Sequence, residues 1–216
     1  PCRQVTGVDW LTPEPLGSCG NAWGDGRLVP HLEEVNRCVR ALGADLASNN
    51  YRGLYGVDFV LAEDGPLVIE VNPRMVASIP VATELEVEAG RAPLVLLHLL
   101  ELLGAELSEL DGDQGDGVLG EASQVIVHRL EGDTDMRPRG GIYLASAGAV
   151  TYIRPGATLE DLTGADEVLL LARRTGEPVS DRKEFARIYA RTSTGENTPG
   201  IRDLVHSLRA GTVPEK

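Results

Sequence analysis

Lysine is nearly missing from this chain. Its two examples, Lys183 and Lys216, follow no glycine-rich run, which excludes the phosphate cradle that ends in Lys-Ser or Lys-Thr. Gly17, Gly20, Gly24 and Gly26 are dense enough to imitate such a cradle. Without the lysine, the stretch from Thr12 to Pro30 reads as mostly connecting loop. Cysteine is scarce and odd in number: Cys2, Cys19 and Cys38 are widely spaced and form no Cys-x-x-Cys. That argues against a zinc site or redox pair and for reduced thiols in a cytoplasm. A basic surplus is lacking too, since the net charge is -13; a nucleic-acid partner or an anionic membrane surface would call for a basic face. The longest apolar run, Leu94 to Leu103, is broken by His98 and Glu101 and is too short to span a bilayer. No basic, apolar leader opens the sequence, and a cytoplasmic location is expected. No Ser-His-Asp or Cys-His set can be recognised from spacing, because such groups meet only in the fold.

What the chain does have is an ordinary globular make-up. Its 216 residues are 42% hydrophobic and 25% charged, enough for one or two small domains with a real core. Most of the acidic surplus lies before residue 118. The same half holds the most informative stretch, Tyr51 to Arg74, YRGLYGVDFVLAEDGPLVIEVNPR. Two apolar strands, Val57 to Leu61 and Leu67 to Val71, flank a turn at Glu63-Asp64-Gly65-Pro66. Pairing symmetric about Asp64 sets Leu61 against Leu67, Asp58 against Glu70 and Gly56 against Asn72, with open space at Gly56. Glu70 and Asn72 then share a face. Opposed carboxylates destabilise a hairpin by some tenths of a kcal/mol, up to ~1, and a divalent cation between them would reverse the sign. Two carboxylates and an amide are hard oxygen donors, suited to Mg²⁺ or Mn²⁺. Arg74, two residues beyond Asn72, would add a phosphate-compatible cation. An exposed hairpin with outward-facing acids fits the same pattern.

Gly56-Val57-Asp58-Phe59 followed by Glu70-Val71-Asn72-Pro73-Arg74 resembles the metal-binding hairpin of the ATP-grasp superfamily. The resemblance implies that Asp58, Glu70 and Asn72 hold two Mg²⁺ (or Mn²⁺) ions bridging the phosphates of ATP. It also implies that Arg74 contacts the transferred phosphoryl group or an acyl-phosphate intermediate. The implied function is that of an ATP-dependent ligase, which activates a small-molecule carboxylate as an acyl phosphate and joins it to an amine or similar nucleophile. Three alternatives stay open: a carbamoyl phosphate synthetase-like or carboxylase-like ATP-grasp enzyme, a non-catalytic binding or assembly module that keeps the hairpin, and a purely structural β-rich domain. Biotin-dependent carboxylases carry Gln-Val-Glu after the matching arginine, whereas this chain reads Met75-Val76-Ala77-Ser78. Ser78 in place of that glutamate counts against bicarbonate carboxylation. ATP-grasp enzymes usually draw lysines, a Gly-rich loop and an adenine-contacting hinge from sequence that would precede Pro1. The chain is therefore expected to be the C-terminal part of a longer enzyme, to need that N-terminal portion as a partner, and to bind ATP poorly alone.

The rest of the chain fills in an α+β architecture. Residues 4 to 11 suggest a strand. Leu32, Val35, Val39, Leu42 and Leu46 recur at helical spacing over residues 31 to 49, after Pro30 and with Glu33 and Glu34 near the N-terminus. Met75 to Pro80 is expected to be extended or looped. Pro93 to Gly104 reads as a helix apolar on nearly every face and hence buried, with His98 bonded to backbone. Asp111 to Gly117 lacks the closing glutamate of a calcium loop and reads as a linker. Beyond it, Ser123 to Leu130, Gly141 to Ser146, Ala149 to Ile153 and Glu167 to Ala172 read as strands, with a turn at Ser146 to Ala149. Arg191 to Gly200 reads as loop and Leu204 to Leu208 as helix. Arg137, Arg139, Arg154, Arg173 and Arg174 offer carboxylate-binding forks or partners for nearby acids. The expected division is an ATP-grasp C-terminal subdomain, an antiparallel sheet with helices, over 1–110, a linker over 111–117, and a small β-rich domain over 118–216.

Overall fold

The structure is a computed structural model that describes residues 1–105, 107, 119–131, 133, 138–146, 148–172 and 183–213. The fold is α+β. In chain order its elements are β1 (Arg3–Thr6), β2 (Ser18–Trp23), α1 (Leu32–Ser48), β3 (Gly56–Ala62), β4 (Gly65–Asn72), α2 (Ile79–Glu88), α3 (Leu94–Leu102), β5 (Ala122–His128), β6 (Gly141–Ser146), β7 (Ala149–Arg154), β8 (Glu167–Ala172), β9 (Glu184–Ala190) and α4 (Ile201–Arg209). They form two compact units, one of Pro1 with Gly26–Gly120, the other of Cys2–Asp25 with Glu121–Lys216. This partition differs from the expected one in its first residues, because β2 pairs antiparallel with β5 from Gly20↔Val125 to Trp23↔Ala122. The linker at 111–117 lies outside the described residues.

That pairing also overturns the loop expected over Thr12 to Pro30. Ser18–Trp23 is a strand, buried from Cys19 to Trp23. Its sequence, SCGNAW, is small and polar and lacks alternation, so packing between two neighbours decides its state, not propensity. Gly20 serves the close approach. It sits at φ +149°, and a Cβ there would come within 2.1 Å of the Gln124 carbonyl oxygen.

The second unit is a seven-stranded antiparallel sheet in the order β1-β2-β5-β9-β8-β6-β7. Expected strands appear at β5 to β8, while β9 sits mid-sheet. On α4, Ile201, Leu204, Val205 and Leu208 are buried, the i, i+3, i+4, i+7 stripe of a helix lying on a core. They join Val5, Leu11, Val125, Tyr143, Leu170 and Ile188 in one cluster. At the end of α4, Arg209 donates to the carbonyls of Trp10 (3.2 Å) and His128 (2.9 Å) and pairs with Asp133, so one guanidinium ties together three segments.

Two of the grouped arginines are structurally engaged. Arg154 forks onto Glu167 at 2.6 and 2.8 Å, a pairing that, with the Thr163 and Gly164 amides, holds the Glu167 carboxyl down at about 2. Arg139 stacks 3.8 Å from the Tyr152 ring centre. Arg137, Arg173 and Arg174 lie outside the described residues.

The first unit is built differently. The α1 stripe Leu32, Val35, Val39, Leu42 and Leu46 faces inward but only half-buried. An unforeseen helix, α2, starts at Ile79, with Ser78 at its N-cap position and no side-chain cap bond. The burial expected of α3 is not found: Leu96, Leu99 and Leu102 are 46, 52 and 61% exposed. Among the described residues of this unit, Val81 and Leu85 are the buried hydrophobics, so nothing described covers the outer faces of α3. Leu204→Ala should therefore lower the stability of the second unit by about 2–5 kcal/mol, while Leu99→Lys changes stability by less than about 0.5 kcal/mol. Urea unfolding of the two variants checks both.

Candidate metal and phosphate site

The hairpin β3–β4 pairs Ala62↔Gly65, Leu61↔Pro66, Val60↔Leu67 and Phe59↔Val68, then shifts register to Asp58↔Glu70, Val57↔Val71 and Gly56↔Asn72. The expected partnership of Leu61 with Leu67 does not form, because the turn is the tighter Glu63-Asp64 pair closed by Gly65 at φ +120°. Ile69 is the residue left over. A bulge there restores, at the far end, the pairing of Asp58 with Glu70 and of Gly56 with Asn72. Bulges re-aim side chains in this way beside functional sites. The space opposite Asn72 is not open, since a Cβ on Gly56 would lie 2.9 Å from Cγ1 of Val76.

All four sequence-derived residues meet at this end of the hairpin. Asp58 is half-buried, Asn72 is buried, and Glu70 and Arg74 are exposed. Asn72 Nδ2 donates to Asp58 Oδ2 at 3.3 Å, and Arg74 Nη2 donates to Asn72 Oδ1 at 3.1 Å. Burial, followed by the Glu70 charge and a hydrogen bond shared with Glu70, pushes the Asp58 carboxyl above its usual range, against the lowering pull of Arg74. A cation would relieve that repulsion. Among the described residues no group of three or more His, Cys, Asp or Glu is arranged to hold a metal ion. The donors here are two carboxylates and an amide, a set that fits Mg²⁺ when water and phosphate oxygens complete the shell.

The approach to β3 is fixed by Tyr51 and Tyr55, which no sequence motif singled out, and by His98, whose expected bond to backbone is present. Tyr55 Oη donates to the Val39 carbonyl of α1 at 2.9 Å, and Tyr51 Oη donates to the Leu54 carbonyl. His98 Nδ1 of α3 accepts from the Leu54 N–H at 3.1 Å. Residues 51–55 belong to no strand or helix, so their half-buried backbone groups have to find side-chain partners. That need was the available signal. A cleft of about 370 Å³ beside this segment is lined by Gly43, Leu46, Asn50, Tyr51, Arg52 and Tyr55 among others, and by none of the four site residues.

The ATP-grasp domain family matches this chain over residues 22–78, a stretch that contains α1 and the whole hairpin and ends just beyond Arg74. The match is to that stretch of the chain alone. An uncharacterized protein of Methanocaldococcus jannaschii is 30% identical over 53 residues, which is 24% of this chain and 14% of that protein. Among solved structures, N5-carboxyaminoimidazole ribonucleotide synthetase from Thermus thermophilus is similar at 16% identity and a TM-score of 0.47, over 92% of this chain and 44% of that one. The phosphoribosylaminoimidazole carboxylase ATPase subunit from Aquifex aeolicus is similar at 12% identity and a TM-score of 0.45, over 97% and 57%. Likenesses this distant fix neither substrate nor reaction, and the chain spans well under two thirds of each of these proteins. No helix among the described residues is long and apolar enough to cross a membrane.

In the β3–β4 hairpin without metal, Glu70→Gln removes the like-charge opposition. The β3–β4 amides should then exchange more slowly with deuterium in EDTA at neutral pH, by some tenths of a kcal/mol up to about 1. Because the Asp58 carboxyl is raised, the group's favourable contribution is full below 3.8 and is lost as the pH rises through the raised value. The gain from Glu70→Gln therefore shrinks toward acid pH.

Proposed function

We propose that this chain contributes the metal- and phosphate-binding hairpin of an ATP-dependent ligase. The observation that carries the reading is the meeting of Asp58, Glu70, Asn72 and Arg74 at one end of a hairpin inside the ATP-grasp segment. Asp58 and Glu70 would hold Mg²⁺ or Mn²⁺, with Asn72 as the amide donor. The metal, when bound, supplies charge neutralisation on the phosphate oxygens.

In the reaction proposed, a carboxylate oxygen of a small-molecule acid attacks the γ-phosphorus of ATP. The bond to the ADP oxygen breaks, giving an acyl phosphate. An amine then attacks the acyl carbon, and phosphate departs with the bonding electron pair. Arg74 stands two residues from Asn72 with its guanidinium at the site, so it can pair with γ-phosphoryl oxygens as negative charge spreads over them. Such pairing acts through position and electrostatics alone. Ser78, at the start of α2, brings no carboxylate to activate bicarbonate, which supports amine ligation over carboxylation.

In the intact enzyme, Asp58→Asn and Glu70→Gln should each abolish ATP-dependent product formation while circular dichroism and the thermal midpoint stay native-like. Phosphate release at the wild-type rate by either variant refutes the assignment. Arg74→Lys keeps the charge but loses the fork, and a large drop in kcat with little change in KM is expected.

A further inference from the structure

The orientation of the Asn72 amide is dictated by its neighbours. A guanidinium only donates and an ionised carboxylate only accepts, so the amide must turn its oxygen to Arg74 and its nitrogen to Asp58. The contacts agree: Arg74 Nη2 to Oδ1 at 3.1 Å and Nδ2 to Asp58 Oδ2 at 3.3 Å. Asn72 is 8% exposed, and both ends of its amide are bonded within the protein. Arg74 also donates to the Met75 carbonyl at a long 3.4 Å, which makes Asn72 the shorter of these two anchors.

This orientation is the wrong one for a metal ligand. A cation between Asp58 and Glu70 would meet the partly positive NH₂ end of Asn72, while the oxygen that could coordinate it is occupied by Arg74. Oxygen and nitrogen of an amide are nearly equal in size, so half a turn about the last side-chain bond exchanges them without altering the packing. After that turn the oxygen faces the cation, and the NH₂ faces Arg74, donor against donor. The Arg74–Asn72 bond cannot survive.

Building on the metal-site reading above, we propose that Asn72 is a positioning residue whose amide inverts when the cation binds, releasing Arg74 from the hairpin to engage phosphoryl oxygens. Cation occupancy and arginine availability are thereby linked through one buried side chain. Before metal arrives, Arg74 is parked on Asn72; after it arrives, the guanidinium is free to reach an anion. An aspartate at position 72 has no donor end. It can touch a metal with one oxygen and keep Arg74 with the other, so it preserves binding and abolishes the release.

The test uses the full ¹⁵N-labelled chain, with Mg²⁺ as the NMR probe and Mn²⁺ as the binding probe through water-proton relaxation. In the wild type, the Asn72 side-chain amide and the Arg74 Nε–Hε signals should shift together along one Mg²⁺ titration, with the midpoint at which Mg²⁺ displaces Mn²⁺. In Asn72→Asp, Mn²⁺ should still bind while the Arg74 signal stays in place. Metal binding with an unmoved Arg74 signal in the wild type, or an equal shift in Asn72→Asp, overturns the inversion and leaves the metal site standing. If Mn²⁺ does not bind at all, the metal reading and the inversion fall together. Should Asn72→Asp not fold, the wild-type titration decides alone.

Discussion

One residue without a cross-strand partner, Ile69, sets the chemistry of the hairpin. From the turn to Phe59 the strands pair in a register that, continued, would put Asp58 opposite Ile69 and Glu70 opposite Val57. A slip of one residue sends every side chain to the other face, so the two carboxylates would no longer face each other. The bulge absorbs that residue and delivers Asp58 to Glu70 and Gly56 to Asn72. The consequence is repulsion between two acids. Burial first, and this repulsion second, raise the Asp58 carboxyl, and a bound cation is the kind of partner that offsets the repulsion.

The two units carry different burdens. The seven-stranded sheet and α4 share a continuous core, and Arg209 and the Arg154–Glu167 fork secure the connections around it. The unit that holds the hairpin buries little of its own apolar surface: Val60, Leu67 and Ile69 on the strands and Leu99 and Leu102 on α3 are exposed. A two-stranded sheet is marginal by itself in water. Here it is steadied at its base by Tyr55, which donates to α1, and by His98 of α3, whose bonds to or from backbone fix the chain just before β3. Those contacts connect helix packing to the placement of Asp58.

Much of the site was legible in the residues. Asp58, Glu70, Asn72 and Arg74 stood out because acids and an amide interrupt apolar strands, and hard oxygen donors narrow the choice of metal. The α1 helix and strands β5 to β8 followed from apolar spacing, which reports local periodicity directly. The turn was misjudged by one residue on its first side and two on its second, and the missed bulge compensated for the difference. Thus the Asp58–Glu70 pairing was anticipated through a register that the strands nearer the turn do not adopt.

Sequence alone determined which groups the hairpin has to offer and where helices and half-buried strands begin, since these depend on residue type and short-range spacing. Tertiary structure decided the rest. It made a strand of Ser18–Trp23, whose composition suggests loop, because neighbouring backbones satisfy its hydrogen bonds and only glycine fits beside Gln124. It left the leucines of α3 exposed, because an apolar face is buried only when something packs on it. It also turned the Asn72 amide toward Asp58, because the direction of an amide is fixed by which donor and which acceptor the fold sets on either side of it.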